Sequence, residues 1–189
     1  MKFTRGFRLA LAALLLSAWP PTLRADVVGS PDRRFAVQVG SSVDVVDAEG
    51  QNEVRLVARV TGAQRVDVRW SPDSTRVVVA VDYPRGSGIF AAWNDGAAWH
   101  KTLEPDELPV ARVARAAGVT GRLVAEQRGL GDWVSPVALT VNGELAFSGG
   151  QKVAYAYTLA FVATAGTPDR GGYEEGVLKG LSYRLVQGQ

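Results

Sequence analysis

Downstream of residue 25, apolar side chains come in short runs, many alternating with polar ones, and Gly, Pro, Asn, Asp or Ser separate the runs. A period of two is the mark of strands with one buried face, and the breaks fall where turn residues supply special backbone angles. Twelve strands are expected, over residues 35–39, 43–47, 54–60, 65–70, 76–83, 88–93, 97–103, 122–127, 134–141, 144–148, 152–164 and 183–186. Asn94-Asp95-Gly96 reads as a three-residue hairpin loop with Gly where positive φ is wanted, and Asn142-Gly143 as a two-residue type I′ turn. Pro84-Arg85-Gly86-Ser87 and Thr61-Gly62-Ala63-Gln64 supply further turns. Sequential strands joined by tight turns form an antiparallel meander. In a hairpin of residues 54–60 with 65–70, Val60 opposite Val66 sets Leu56 against Trp70 on one face and Arg59 against Asp67 on the other.

Two stretches depart from this pattern. Residues 103–118 carry Glu104, Asp106 and Glu107 first, then Val110, Val113, Ala114 and Ala117, then Arg112 and Arg115 before Gly118, which predicts one short helix covering a sheet edge or end. Residues 166–180 are rich in Gly, Pro and charge, which predicts a long exposed loop.

Ser30-Pro31-Asp32 and Ser71-Pro72-Asp73 each lead into an apolar run, at an offset of 41 residues, and Trp70 precedes the second copy. Ser135-Pro136 is a degraded third copy, two residues after Trp133. A propeller blade repeats at about 40 to 45 residues and holds four strands. The residues resemble the TolB-like and WD40-like repeats of exported bacterial proteins, whose blades begin Trp-Ser-Pro-Asp-Gly. The final Gly of that motif is replaced by Arg33 in one copy and Ser74 in the other, and the Gly-His and Trp-Asp signatures are missing. The resemblance implies blade-like four-stranded units, and the length allows about three. The expected fold is therefore all-β, an incomplete β-propeller of about three blades with one short helical insertion; a β-sandwich is the alternative.

Composition changes this picture at the N-terminus. Lys2, Arg5 and Arg8 precede a largely apolar run over residues 9–19, Pro20 and Pro21 break it, and Ala25 follows. Basic start, apolar middle and small-residue end are those of a secretory leader, so the expected organisation is a signal peptide over 1–25 and one domain over 26–189, in a periplasmic or secreted protein. The eleven-residue run makes a helix about 16 Å long against a bilayer core of about 30 Å. Loss of Lys2, Arg5, Arg8 and Arg24 leaves 17 of the 21 basic residues against 19 acidic ones, a net charge of −2 instead of +2. That balance offers no field for phosphate and argues against nucleic-acid binding. There is no Cys, which removes disulfides, thiolate metal sites and thiol nucleophiles.

Candidate chemistry is sparse. His100 is the lone histidine, flanked by Trp99 and Lys101, and reads as a strand-surface residue. Glu104, Asp106 and Glu107 lack the ligand spacing of a calcium loop and suit a helix N-terminus. Asp82 with Asp95, or Glu174 with Glu175, are formal carboxylate pairs without further support. The Gly pairs at 149–150 and 171–172 lack the strand-to-helix setting of a phosphate loop. Trp93, Trp99 and Tyr83 could build an aromatic platform for sugar, although packing is the commoner fate of strand aromatics. No catalytic, cofactor-binding or metal-ligating residue is assigned. The expectation is a monomeric, non-enzymatic protein-interaction module without cofactor or membrane insertion after leader removal, with a carbohydrate-binding or carbohydrate-processing domain as the rival. N-terminal sequencing of the exported product should begin near Asp26; retention of residues 1–18 would refute the leader.

Overall fold

The computed structural model describes residues 26–48, 53–102, 107–164 and 173–186. The leader, Glu104, Asp106 and Gly171-Gly172 lie outside them. The described chain is all-β with one short helix. Strands β1 (Asp26–Gly29), β2 (Phe35–Val39), β3 (Ser42–Asp47) and β4 (Glu53–Arg59) form a first antiparallel sheet in sequential order. A second sheet runs β5 (Arg65–Trp70), β6 (Arg76–Tyr83), β7 (Gly86–Asn94) and β8 (Trp99–Lys101). After helix α1 (Val110–Ala116), strands β9 (Leu123–Ser135), β10 (Ala138–Phe147), β11 (Lys152–Thr164) and β12 (Tyr173–Val186) form the third. Three four-stranded meanders, none closed into a barrel, match the blade-like units expected.

The second sheet lies between the other two. Val77, Val79 and Val81 of β6 join Val37, Val43, Val45, Val57 and Trp70 in one core against the first sheet. Val78 and Ala80 join Leu139, Val141, Val153 and Leu159 in another against the third. A run such as RVVVAV is apolar at consecutive positions because both faces of the strand are covered. Helix α1 adds Val113, with Leu108 and Val119 flanking it, to the core between the second and third sheets.

In every sheet the Ser-Pro motif forms the hairpin between the first and second strands. Ser30 N–H donates to Phe35 O at 2.8 Å, and Ser71 N–H donates to Arg76 O at 2.9 Å. The Ser hydroxyls donate to Asp32 and Asp73 at 2.7 and 2.6 Å, and each Asp accepts the backbone N–H two residues on at 3.1 Å. Burial opposes ionisation of Asp32, but the Ser30 hydroxyl, the Arg34 N–H and the Arg34 side chain outweigh it and hold the carboxyl at about 2. Arg33 and Ser74 have φ of 62° and 61°, the left-handed conformation that the missing Gly would take without strain. The two turns also bind each other: Asp32 N–H donates to Ser74 Oγ at 3.0 Å, and Trp70 Nε1 donates to Val28 O at 2.9 Å.

Several expectations are corrected. The unit starts one strand earlier than expected, at β1, so β4 and β5 end one sheet and begin the next. They form no hairpin: β4 pairs β3 and β5 pairs β6. Thr61-Gly62-Ala63-Gln64 is the inter-sheet link, with Gly62 at φ 80°. Val57 and Val60 still meet Val68 and Trp70, but face to face across two sheets. Asn142-Gly143 is no turn; it lies inside β10, where Gly143 pairs with both Tyr155 and Arg128. Residues 173–180 belong to β12, which the thirteen-residue β11 holds from Thr164↔Tyr173 to Lys152↔Val186, with a bulge where Gly180 takes φ 63°. The helix begins only at Val110, after Pro109 and without an acid in its first turn. The residue before a proline is disfavoured in α conformation, so Leu108 cannot extend it. Gly96 and Gly118 do take the positive φ expected of a hairpin loop and a helix end.

Arg33→Gly relieves left-handed strain at a smaller cost in chain entropy and should stabilise the fold by about 0.5–1 kcal/mol in urea unfolding. Ser74→Gly gives up the Asp32 N–H bond as well, so its gain should be smaller. A destabilising Arg33→Gly would contradict this reading of the turn.

Candidate functional site

Alternation along β9 turns Glu126 and Arg128 inward toward the second sheet, where they are largely buried. Arg128 Nε donates to Glu126 Oε1 at 2.9 Å, and the Tyr155 hydroxyl donates to the same oxygen at 3.1 Å. Tyr155 reaches Glu126 from two strands away because Gly143 lies between them. A Cβ on Gly143 would come within 2.3 Å of the Tyr155 ring and 2.5 Å of Gln127 O. The glycine thus serves a close crossing of an aromatic ring over the strand, and the ring shields the bare backbone. Tyr157 stacks beside Tyr155, with centroids 6.2 Å apart.

Burial, then the Glu126 charge, push the Tyr155 phenol well above its ordinary range, and burial raises Tyr157 too. Burial alone would lower Arg128, but the hydrogen bond and charge of Glu126 outweigh it and raise it. The cluster is a fixed cation, its carboxylate partner and two neutral phenols.

Backbone groups of β9 are tied to the second sheet. Asp82 accepts the Arg128 N–H at 3.1 Å and Asp67 accepts the Leu130 N–H at 3.2 Å. Arg65 pairs with Asp82 at 3.1 Å and donates to Arg128 O at 2.7 Å. These carboxylates serve the outer edge of β9, whose one sheet partner among the described residues is β10. Above the cluster a cavity of about 360 Å³ opens, walled by Ser87 to Phe90 of β7, by Glu107, Leu108 and Val110 before and at the start of α1, and by Glu126 and Arg128. The buried Ser87 hydroxyl lacks a hydrogen-bond partner among the described residues.

Comparison with known proteins gives no match to a family model, a curated protein or a solved structure.

The formal pairs singled out in the sequence do not converge. Asp82 stands opposite Ser87 and Asp95 follows the other end of β7, about 26 Å away at strand rise. Glu174 is buried on Arg76, accepting from Nε at 3.1 and 3.0 Å and from Nη2, whereas Glu175 alternates to the opposite face. Glu107 sits on the cavity wall, ahead of the helix. His100 Nε2 lies 2.8 Å from Asp95 Oδ2, and its ring lies over Trp93 at 4.8 Å. Trp99 is buried between Phe35 and Trp70, edge-on at 5.3 and 5.6 Å, and Tyr83 donates to Arg59 O at 3.3 Å. The aromatic platform is thus dispersed into packing. Gly149-Gly150 closes the turn between β10 and β11.

Of the eight exposed large apolar side chains among the described residues, seven belong to the third sheet and its first hairpin. Val134, Val162 and Tyr173 alternate to the face turned away from the second sheet, with Val137 at the hairpin beside them. Along β11 the same face carries Ala154, Ala156, Thr158 and Ala160, and around them stand Gln127, the Lys152–Glu144 ion pair, Glu175, Lys179 and Arg184. The first sheet instead turns Gln38, Arg55 and Arg59 outward. Among the described residues no helix is long and apolar enough to cross a membrane.

Tyr155→Phe strips a donor from buried Glu126 and should cost about 1–3 kcal/mol in urea unfolding at neutral pH. Gly143→Ala forces a Cβ into the Tyr155 ring and a backbone oxygen and should cost about 3 kcal/mol. A Gly143→Ala chain as stable as its parent would remove the ring crossing.

Proposed function

We propose that the chain is an exported, monomeric protein-interaction module, with no chemistry of its own, that docks a partner protein through the outer face of its third sheet. The observation that carries this is the cluster of exposed Val134, Val137, Val162 and Tyr173 at one end of that face. Contiguous exposed apolar surface marks interaction sites, and scattered single residues do not. An apolar cluster at one end of the face, with Glu144, Lys152, Glu175 and Lys179 beyond it, suits a partner that sets an apolar patch inside a polar rim. The polar outer face of the first sheet offers no such complement. The carboxylates Glu126, Asp82 and Glu174 are spent on bracing one sheet to another or on a buried tyrosine. Two turns of shared geometry, with left-handed Arg33 and Ser74 in place of Gly, support descent from TolB-like or WD40-like repeats. The rival carbohydrate reading loses its aromatic platform with Trp99 in the core.

A photocrosslinking side chain placed at Val162 or Val134 should capture one defined envelope protein in the producing cell, and the same group at Gln38 should capture none. Equal capture from both faces, or none from either, would overturn the docking surface.

A further inference from the structure

Several edges of the three sheets are blunt or occupied. β1 and β8 are four and three residues long, too short to template another strand, and Asp82 and Asp67 take up edge amides of β9. β12 runs for 14 residues with β11 on one side and, among the described residues, no strand on the other. Its first half is guarded: Glu174 is tied to Arg76, Lys179 is exposed, and a bulge at Gly180 breaks the register. A lysine and a bulge both discourage an edge from pairing with another chain. The six residues beyond the bulge, from Leu181 to Val186, contain no Pro, Gly or Lys. Alternate residues of this run turn N–H and C=O away from β11, and no loop or side chain among the described residues hydrogen-bonds to them.

The two faces of the run specify what pairs with it. Tyr183 stands opposite Tyr155 and Leu185 opposite Val153. The β11 residues are buried, whereas Tyr183 and Leu185 are 43% and 45% exposed, so the cover of this inner face stops between β11 and β12. Leu181 lies against the core at the near end of the run. A further strand with apolar side chains beside these three extends the face and takes Tyr183 and Leu185 out of water. On the outer face Arg184 is exposed and has no ion pair among the described residues, while Lys152, opposite Val186, is already held by Glu144. An acidic side chain beside Arg184 meets the charge left over.

We propose that residues 181–186 accept an extended segment of a partner protein as a fifth strand of the third sheet, with apolar residues on the inner face alternating with acidic ones on the outer. Main-chain bonds supply the attachment and the alternation supplies the choice of segment. The site does not rest on the docking surface of the outer face, whose apolar cluster stands at the opposite end of the sheet.

The test titrates the chain from residue 26 with an end-capped peptide of alternating valine and glutamate, followed by amide NMR. Binding should saturate with a Kd tighter than about 1 mM, and amides within 181–186 should gain protection from exchange. N-methylation of one alternate set of peptide residues should abolish binding and that of the other set should leave it, because only one set faces β12. A valine–lysine peptide should bind about tenfold more weakly or worse, and Arg184→Glu should reverse that preference. Val162→Asp, which disables the outer-face cluster, should change nothing. Absence of binding, equal tolerance of both N-methylated sets, or protection confined to other strands would overturn the proposal. So would protection of these amides in the free monomer or in a dimer of the chain, which would show the edge already filled.

Discussion

Strand β6 is covered on both faces, and the arrangement of the other eleven strands follows from that. Val77, Val79 and Val81 are fully buried against the first sheet and Val78 against the third. Full burial of one such side chain contributes about 1.5–3 kcal/mol, an upper figure because unfolded chains already bury some of it. Strand β7 repeats the arrangement beside it, with Ile89 and Ala91 toward the third sheet and Phe90 and Ala92 toward the first. The ends of the strand carry the polar counterpart: Arg76 grips Glu174 of β12, and Asp82 takes Arg65 and the Arg128 N–H. Apolar middle and charged ends therefore set both the order and the lateral position of the sheets. Removing either partner of the Arg76–Glu174 pair would strand a charge that the fold has already desolvated.

Much of this was legible in the chain. Alternation located most strands, and the run at 77–81 announced burial on both faces by having no polar position between Arg76 and Asp82. The offset of 41 residues located the repeat, because the Ser-Pro-Asp turn needs its own side chains for its hydrogen bonds and cannot drift. Its phase was not legible. β1 is four residues long with one exposed valine, too short to show a period, so the alternation that marks strands begins only at β2.

The other differences share a cause, which is that tertiary partners overrode local preference. Asn142-Gly143 has the composition of a hairpin turn, yet Tyr155 requires a residue without a side chain beneath its ring, and only the third dimension reveals it. Gly, Glu and Lys in 173–180 speak against a strand, yet thirteen residues of β11 offer a ladder, and Gly180 absorbs the irregularity as a bulge. Glu126 and Arg128 carried no sequence signal and Glu174 only the wrong partner, because Tyr155 and Arg76 reach them from another strand and another sheet. Their value is visible only as contacts: one pair braces the sheets, and the other lines a cavity between two of them.

A three-layer stack held through one strand opens from its outer edges inward. Native-state hydrogen exchange of the chain from residue 26 measures that order directly. The amides of Val78 to Val81 should exchange only through global unfolding and share its denaturant dependence, and those of β1 should exchange through smaller openings. Exchange of the β6 amides at the rate of the β1 amides, or with a smaller dependence on denaturant than global unfolding, would contradict the account.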